Sequence, residues 1–427
     1  MKIQQFNRSG RKDTNLMKNL PNALGRLDVR FRVGTAAPLA LCLCGALACW
    51  GQKPPLTLGT ASPFVPVSPC PAGKSGSLPL SGAVCYNTTI SNCSNHNFAG
   101  DPSAIAPLGA TIAVSTPVNW NGSTIFMHNG SDGRDYFNQG EPGLSYAQDY
   151  YNNGFQVVQT IWVGQGWQNA PGEPVQILKF EACRPATLLN AVYENIHGGP
   201  NAPGAMCAQG HSAGSAAMAY TLAWYGSANY LADVVLTSGP VYANVEAGCQ
   251  YPYAQAYKNP IEVCPPAQYG CVDGAEGGWL DAVQYQVANG DAAKAVAGYT
   301  ISGANCNNWS GTGKSTTASQ NQDWGGMSVV SANASYSYPS TRLYAFLCAT
   351  SSTGQQNNSA AQGQLFYRNF TSTLHPLDYD VYRVDSCMGD EEIWFGTVPG
   401  VNNESAFTVS ANDMIDGCVA SPAMLPR

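Results

Sequence analysis

The sequence predicts an α/β fold in which a mostly parallel sheet is covered by helices on both faces and a cysteine-containing insertion lies over one edge. From about residue 106, short apolar runs alternate with stretches of helical spacing, the rhythm of strand–helix–strand units. One apolar run passes through Gly210-His211-Ser212-Ala213-Gly214 straight into a stretch of small residues, a strand–turn–helix signature. Only 11% of the 427 residues are Asp, Glu, Lys or Arg, against 44% hydrophobic. That balance excludes a coiled coil or charge-rich disordered chain and, for want of clustered cations, a nucleic-acid binder.

The chain opens on a leader, residues 1–48. Eight of the 20 basic residues lie within the first 32 positions, opposed only by Asp13 and Asp28. The uncharged stretch that follows is apolar over Pro38–Trp50, short of the ~20 residues a membrane span needs. It suits the apolar region of a secretory signal, and Ala46-Leu47-Ala48 supplies a small-residue cleavage pattern. Met17 is an alternative start that leaves a more ordinary basic region. Cys49 resembles the lipid-modified cysteine of a bacterial lipoprotein, although Ala46 stands where leucine is usual, and simple cleavage is preferred. The expected location is secreted, periplasmic or cell-envelope, with membrane contact only through that lipid. Without the leader's first 32 residues the chain holds 12 basic against 25 acidic residues, net −13.

Twelve cysteines follow the leader region: Cys70, Cys85, Cys93, Cys183, Cys207, Cys249, Cys264, Cys271, Cys306, Cys348, Cys387 and Cys418. An even number in an exported chain implies structural disulfides, with pairings open. Their wide spread and the lack of a C-x-x-C or Cys/His cluster argue against a metal site.

Residues 49–105, rich in Pro, Gly, Ser and Asn, read as an N-terminal arm pinned by disulfides. The first part of the α/β domain, 106–245, has expected strands at Ala110–Val114, Thr124–His128, Phe155–Trp162, Ala205–Gln209 and Val234–Ser238. Helical stretches stand at Tyr146–Asn152, Pro174–Ile196 and Ala213–Tyr225. An insertion or lid at 246–335 breaks the rhythm, as long irregular segments over functional sites do. The second part, 336–427, resumes with a strand at Arg342–Ala349, a helix at Ala360–Leu374, a strand at Tyr379–Val384 and a last helical stretch ending near Cys418.

Gly210-His211-Ser212-Ala213-Gly214 carries the chemistry. A sharp strand-to-helix turn needs glycines where side chains would clash, and it lifts the serine hydroxyl above the sheet. The new helix aims its N-terminal N–H groups at developing negative charge. Phe126-Met127-His128-Asn129-Gly130-Ser131-Asp132-Gly133, also following a strand, resembles the oxyanion loop of esterases and lipases, and a plain hairpin turn at Asn129-Gly130 competes with that reading. Together these motifs resemble the α/β-hydrolase fold over roughly 105–420, and Trp162, Trp167, Cys183-Arg184-Pro185 and Cys207 add a likeness to secreted, disulfide-containing esterase- or lipase-like members. The resemblance implies Ser212 as nucleophile, Ala213 with Asn129 or Gly130 as oxyanion donors, a small-molecule or polymer ester as substrate, and no cofactor.

A serine needs a histidine base and an orienting acid, and the resemblance implies the order Ser, acid, His. Of the five histidines, His96, His128, His197, His211 and His375, only His375 follows the elbow. It stands in a helix-to-strand turn, whereas the expected exit at Asp385-Ser386-Cys387-Met388 has no histidine and the usual acid position reads Thr350-Ser351-Ser352-Thr353. Three readings remain: His375 as base with Asp323, Asp380 or Glu246 as acid; His128 recruited as base; or a pseudoenzyme acting as a binding or cell-surface protein. Ser310-Gly311-Thr312-Gly313-Lys314-Ser315 lacks the first glycine of a phosphate loop and a preceding strand. Asp390-Glu391-Glu392 reads as a solvated or helix-starting cluster.

Overall fold

The computed structural model describes residues 55–93, 105–130, 133–138, 140, 145–164, 166–168, 178–238, 329, 334–348, 366–367, 370, 375–387 and 390–419. Within them a ten-stranded sheet forms. Its strands are β1 (Thr60–Ala61), β2 (Val65–Val67), β3 (Val84–Ser91), β4 (Leu108–Ser115), β5 (Thr124–His128), β6 (Gln156–Trp162), β7 (Met206–His211), β8 (Leu231–Thr237), β9 (Tyr338–Cys348) and β10 (Pro376–Val384).

The order β3-β4-β6-β5-β7-β8-β9-β10, with β1 and β2 both pairing β3, defines the fold. Strands β6, β5, β7, β8, β9 and β10 are parallel neighbours, and β4 runs against both β3 and β6. This is an α/β-hydrolase fold: a parallel sheet with its second long strand reversed. After β5 the chain turns outward to β6, whereas after β7 it turns the other way to β8. Open α/β sheets bind ligands at such a switch, outside the carboxyl ends of the strands.

The central strands are apolar on both faces because helices cover both. Phe126, Ala208 and Val234 share a core with α3 (Cys183–Val192) and α4 (Ala213–Tyr225). Their neighbours Ile125, Cys207 and Val235 share another with α1 (Tyr146–Asn152) and α5 (Ala406–Val419). Each buried Leu, Val or Phe adds about 1.5–3 kcal/mol. Helix α4 is buried from Gly214 through Tyr225, as expected of a helix with no polar face, and Gly226 ends it in the left-handed region at φ 72°.

Expected strands and helices largely stand where periodicity placed them, with three differences. Strand β3 lies in the stretch read as an arm, where Val84–Ser91 alternates toward and away from the core. Asn87, Thr88, Thr89 and Ser91 give it a polar composition, which concealed a strand. The helical stretch 174–196 is interrupted: α2 (Leu178–Glu181), α3 and a π-turn at Tyr193–His197 divide it. Finally β9 and β10 start earlier than expected, and Pro376 is accommodated at a register shift before Asp378. The insertion 246–335 lies almost wholly outside the described residues.

Disulfides join Cys70 to Cys85, Cys93 to Cys183 and Cys207 to Cys418. Cys387 is also disulfide-bonded. Cys249, Cys264, Cys271 and Cys306 lie outside the described residues, as does the side chain of Cys348. These bridges are compatible with an extracellular location. Among the described residues no helix is long and apolar enough to cross a membrane.

Candidate active site

Ser212 stands between β7 and α4 with φ 48° and ψ −120°, a strained conformation that costs a side-chain-bearing residue about 1–3 kcal/mol. The surrounding hydrogen bonds impose it. The Ser212 N–H extends the ladder by donating to the Thr237 carbonyl (2.9 Å), while the Ser212 carbonyl already accepts from Ser215 N–H (2.9 Å). The Ser215 hydroxyl ties the first helical turn back to the Gly210 and Thr237 carbonyls at 2.9 and 3.0 Å.

Both motif glycines are sterically required. A Cβ on Gly210 would lie 2.5 Å from the Gly214 carbonyl oxygen, and one on Gly214 would lie 2.1 Å from that of His128. The first contact keeps the turn tight, and the second seats α4 against the end of β5. Because the strain is local to Ser212, Ser212→Gly is expected to raise stability by about 1 kcal/mol, strain relief less the entropic cost of glycine. Ser212→Ala, which keeps Cβ, should not. Thermal melts check this, and a Ser212→Gly melting point below that of Ser212→Ala would contradict it.

The loop after β5 lies against the serine. A Cβ on Gly130 would be 2.7 Å from Ser212 Cβ and 3.3 Å from its Oγ, so only glycine lets this backbone approach. The structure therefore brings Ser212, Gly130 and the Ala213 end of α4 together, and the first N–H groups of a helix have no partner within it. The Gly130 N–H itself donates to Asn129 Oδ1 at 2.7 Å.

Four of the five histidines are described, and each is placed away from the hydroxyl or otherwise engaged. His375 precedes β10 at its amino end, where Pro376 pairs with Tyr338, whereas the carboxyl end is reached at Val384. At about 3.3 Å per residue the two ends are roughly 26 Å apart, and Ser212 follows the carboxyl end of β7. The expectation that His375 serves as base is thus corrected: it stands at the amino end of β10, opposite to the strand end at which Ser212 follows β7.

His128 is wholly buried at the end of β5. Trp162 Nε1–H, which can only donate, meets His128 Nε2 at 2.9 Å, so the proton sits on Nδ1, which faces the Asn129 carbonyl at 3.0 Å. No lone pair remains for a serine proton, and burial lowers the ring to about 4. The recruitment of His128 is corrected on that ground.

His211 packs between Phe137 and Trp394, with ring centroids 5.7 and 4.6 Å away. Burial lowers it to about 3, and Nδ1 meets the Thr237 hydroxyl at 3.2 Å. His197 meets Thr124 Oγ1 at the amino end of β5 (2.9 Å), and burial lowers it to about 4. His96 lies outside the described residues.

Of the suggested acids, Asp323 and Glu246 lie outside the described residues. Asp380 stands mid-strand in β10, paired in register with Tyr344, far from the elbow. At the exit of β10, Asp385 forms an antiparallel bridge with Thr397, and Ser386 has φ 61°. The exit of β9 lies outside the described residues. Sequence reasoning missed Trp162 as the partner of His128 and the Asn129 amide as the partner of Gly130. Among the described residues no group of three or more His, Cys, Asp or Glu could hold a metal ion.

No family model matches the chain, and no curated protein does. Among solved structures, an esterase of Pyrobaculum calidifontis is 13% identical, covering 89% of this chain and 91% of its own, with a TM-score of 0.37. Carboxyl esterase 2 of the fungus Tuber melanosporum is 13% identical, covering 90% of this chain and 99% of its own (TM-score 0.39). Est1E of Butyrivibrio proteoclasticus is 6% identical, covering 72% and 93% (TM-score 0.34). At such identities and scores these likenesses add nothing on substrate or mechanism; strand order and the elbow carry the fold assignment.

Proposed function

We propose that the protein is an exported serine hydrolase acting on carboxylic esters, with Ser212 as nucleophile and no cofactor. The observation that carries this reading is the strained Ser212 backbone with Gly130 packed against its side chain. Strain of this kind, held in place by hydrogen bonds to Thr237 and Ser215, clusters at sites where a side chain is presented for function. Ser212 Oγ attacks the ester carbonyl, its proton ends on the departing alkoxide oxygen, and N–H groups of Ala213 and the Asn129 region receive the oxyanion. The alcohol then leaves, and water cleaves the acyl-serine. The leader and the disulfides support export, with free release after Ala48 preferred over lipid attachment at Cys49.

A second reading is a catalytically silent binding or cell-surface protein on the same scaffold. The placement of the four described histidines favours it: His375 stands at the amino end of β10, both ring nitrogens of His128 are engaged, and the Nδ1 atoms of His197 and His211 face threonine hydroxyls. An oxyanion hole alone retains only residual catalysis.

A fluorophosphonate probe separates the two. Under the hydrolase reading the folded, disulfide-intact protein is labelled, and Ser212→Ala loses at least about 100-fold of the labelling rate, the scale of nucleophilic loss. A folded sample that resists labelling at millimolar probe supports the silent scaffold instead.

A further inference from the structure

The Asn129 side chain closes a hydrogen-bonded circuit around the peptide that touches Ser212. Its Oδ1 accepts the Gly130 N–H at 2.7 Å, and its Nδ2 donates to the Tyr136 carbonyl at 3.2 Å. The carbonyl of the same Asn129–Gly130 peptide accepts His128 Nδ1–H at 3.0 Å, and His128 is fixed by Trp162 at 2.9 Å. Gly133 N–H closes the turn onto the Gly130 carbonyl at 2.8 Å. Asn129 is 4% exposed and His128 wholly buried, so water does not compete for these bonds. Both ends of one peptide plane are therefore held by side chains of the two preceding residues. A glycine at position 129 would hold neither the Gly130 N–H nor the Tyr136 carbonyl.

We infer that Asn129 is a positioning residue for the oxyanion loop: its amide commits the Gly130 N–H to the loop and leaves the Asn129 main-chain N–H as the loop's donor to a Ser212 adduct. This deepens the serine-hydrolase reading and rests on it for its catalytic part. The structural part, the committed Gly130 N–H, stands without it. An aspartate at position 129 would still accept the Gly130 N–H but would lose the donor to Tyr136 and place a carboxylate beside a developing oxyanion, which repels it. Protonating that carboxylate restores both the donor and neutrality.

The test measures fluorophosphonate labelling rates of wild type, Asn129→Ala and Asn129→Asp from pH 5 to pH 8, together with hydrogen exchange of the Gly130 amide. Expected results are labelling at least 10-fold slower in Asn129→Ala at every pH, and a deficit in Asn129→Asp that is at least 10-fold at pH 8 and shrinks toward pH 5. The Gly130 amide is slow to exchange in wild type and at least 10-fold faster in Asn129→Ala. Wild-type labelling in Asn129→Ala, or an Asn129→Asp deficit independent of pH, overturns the catalytic part. If wild type is not labelled at all, the hydrolase reading has failed. The Gly130 amide then decides alone: unchanged exchange in a folded Asn129→Ala overturns the latch, and accelerated exchange upholds it.

Discussion

Replacing Cys207 and Cys418 together by alanine is expected to cost more stability than removing either of the other two located disulfides. The bridge spans 211 residues, against 90 for Cys93–Cys183 and 15 for Cys70–Cys85. If a disulfide acts by restricting the unfolded chain, loss of these loops costs about 5, 4.5 and 3 kcal/mol respectively. The native-state consequences point the same way. Cys207 is a fully buried residue of β7, five positions before Ser212, and Cys418 lies in the last turn of α5. That helix also contributes Ser410, whose hydroxyl meets Tyr146 Oη at 2.6 Å, and Phe407, 4.5 Å from the Tyr146 ring. Losing the bridge unfastens α5 from the strand that leads into Ser212. Urea denaturation of the three double-alanine variants, each with its remaining bridges intact, measures the order. Equal losses in all three, or the largest loss at Cys70–Cys85, would defeat the chain-restriction account.

The same strand shows how much the sequence disclosed. Strand β5 at Thr124–His128, α1 at Tyr146–Asn152 and α4 at Ala213–Tyr225 stand at the expected bounds. Their signals are local: a fully buried run, a helical period with Ser145 as its cap, and an apolar helix between two glycine turns. The elbow was legible for a similar reason, since the clash that demands Gly210 and Gly214 arises within and beside the turn itself.

The proton relay was not legible, because the state of a histidine depends on partners far away in the chain. His128 is disqualified by Trp162, 34 residues on, whereas the place of His375 ahead of β10 was already legible in the local pattern. Strand β3 escaped notice because Asn87, Thr88, Thr89 and Ser91 give it the composition of a loop. The part played by the Asn129 amide was hidden as well, because its bonds to the Gly130 N–H and the Tyr136 carbonyl exist only in the folded loop.

Stability is expected to fall as pH rises from about 4 to 8, because α5 covers carboxyl groups that the fold keeps protonated. Asp233 of β8 is wholly buried and neither carboxyl oxygen has a hydrogen-bond partner. A Cβ on Gly417 would fall 1.5 Å from Asp233 Oδ2, so α5 lies directly on this carboxyl. Asp413, one turn earlier on the same helix, bonds the Tyr382 hydroxyl, and its Oδ2 is buried without a partner. In the rows of side chains beneath stand Arg342 beside Asp378, and Tyr344 beside Asp380, with the Tyr344 hydroxyl donating to Asp378 Oδ2 at 3.0 Å. Tyr150, Tyr367 and Asp416 also act electrostatically on these carboxyls.

Desolvation pushes Asp233 well above the usual carboxylate range, against the opposing pull of Arg342. It raises Asp413 to about 7 and Asp380 to about 6, with neighbouring aspartates adding to both. The sign follows from proton counts. Between the unfolded value near 3.9 and the folded one, the native state binds protons that the unfolded state has released, so stability falls with rising pH. For Asp413 alone the loss approaches roughly 4 kcal/mol once pH passes its folded value. Asp413→Asn removes one such proton, and its stability should therefore decline with pH by about 1.4 kcal/mol per unit less than wild type within that window. Melts and urea midpoints from pH 4.5 to pH 8 give both slopes. Stability that rises over this range, or identical slopes in wild type and Asp413→Asn, would show that α5 tolerates these carboxylates in their charged form.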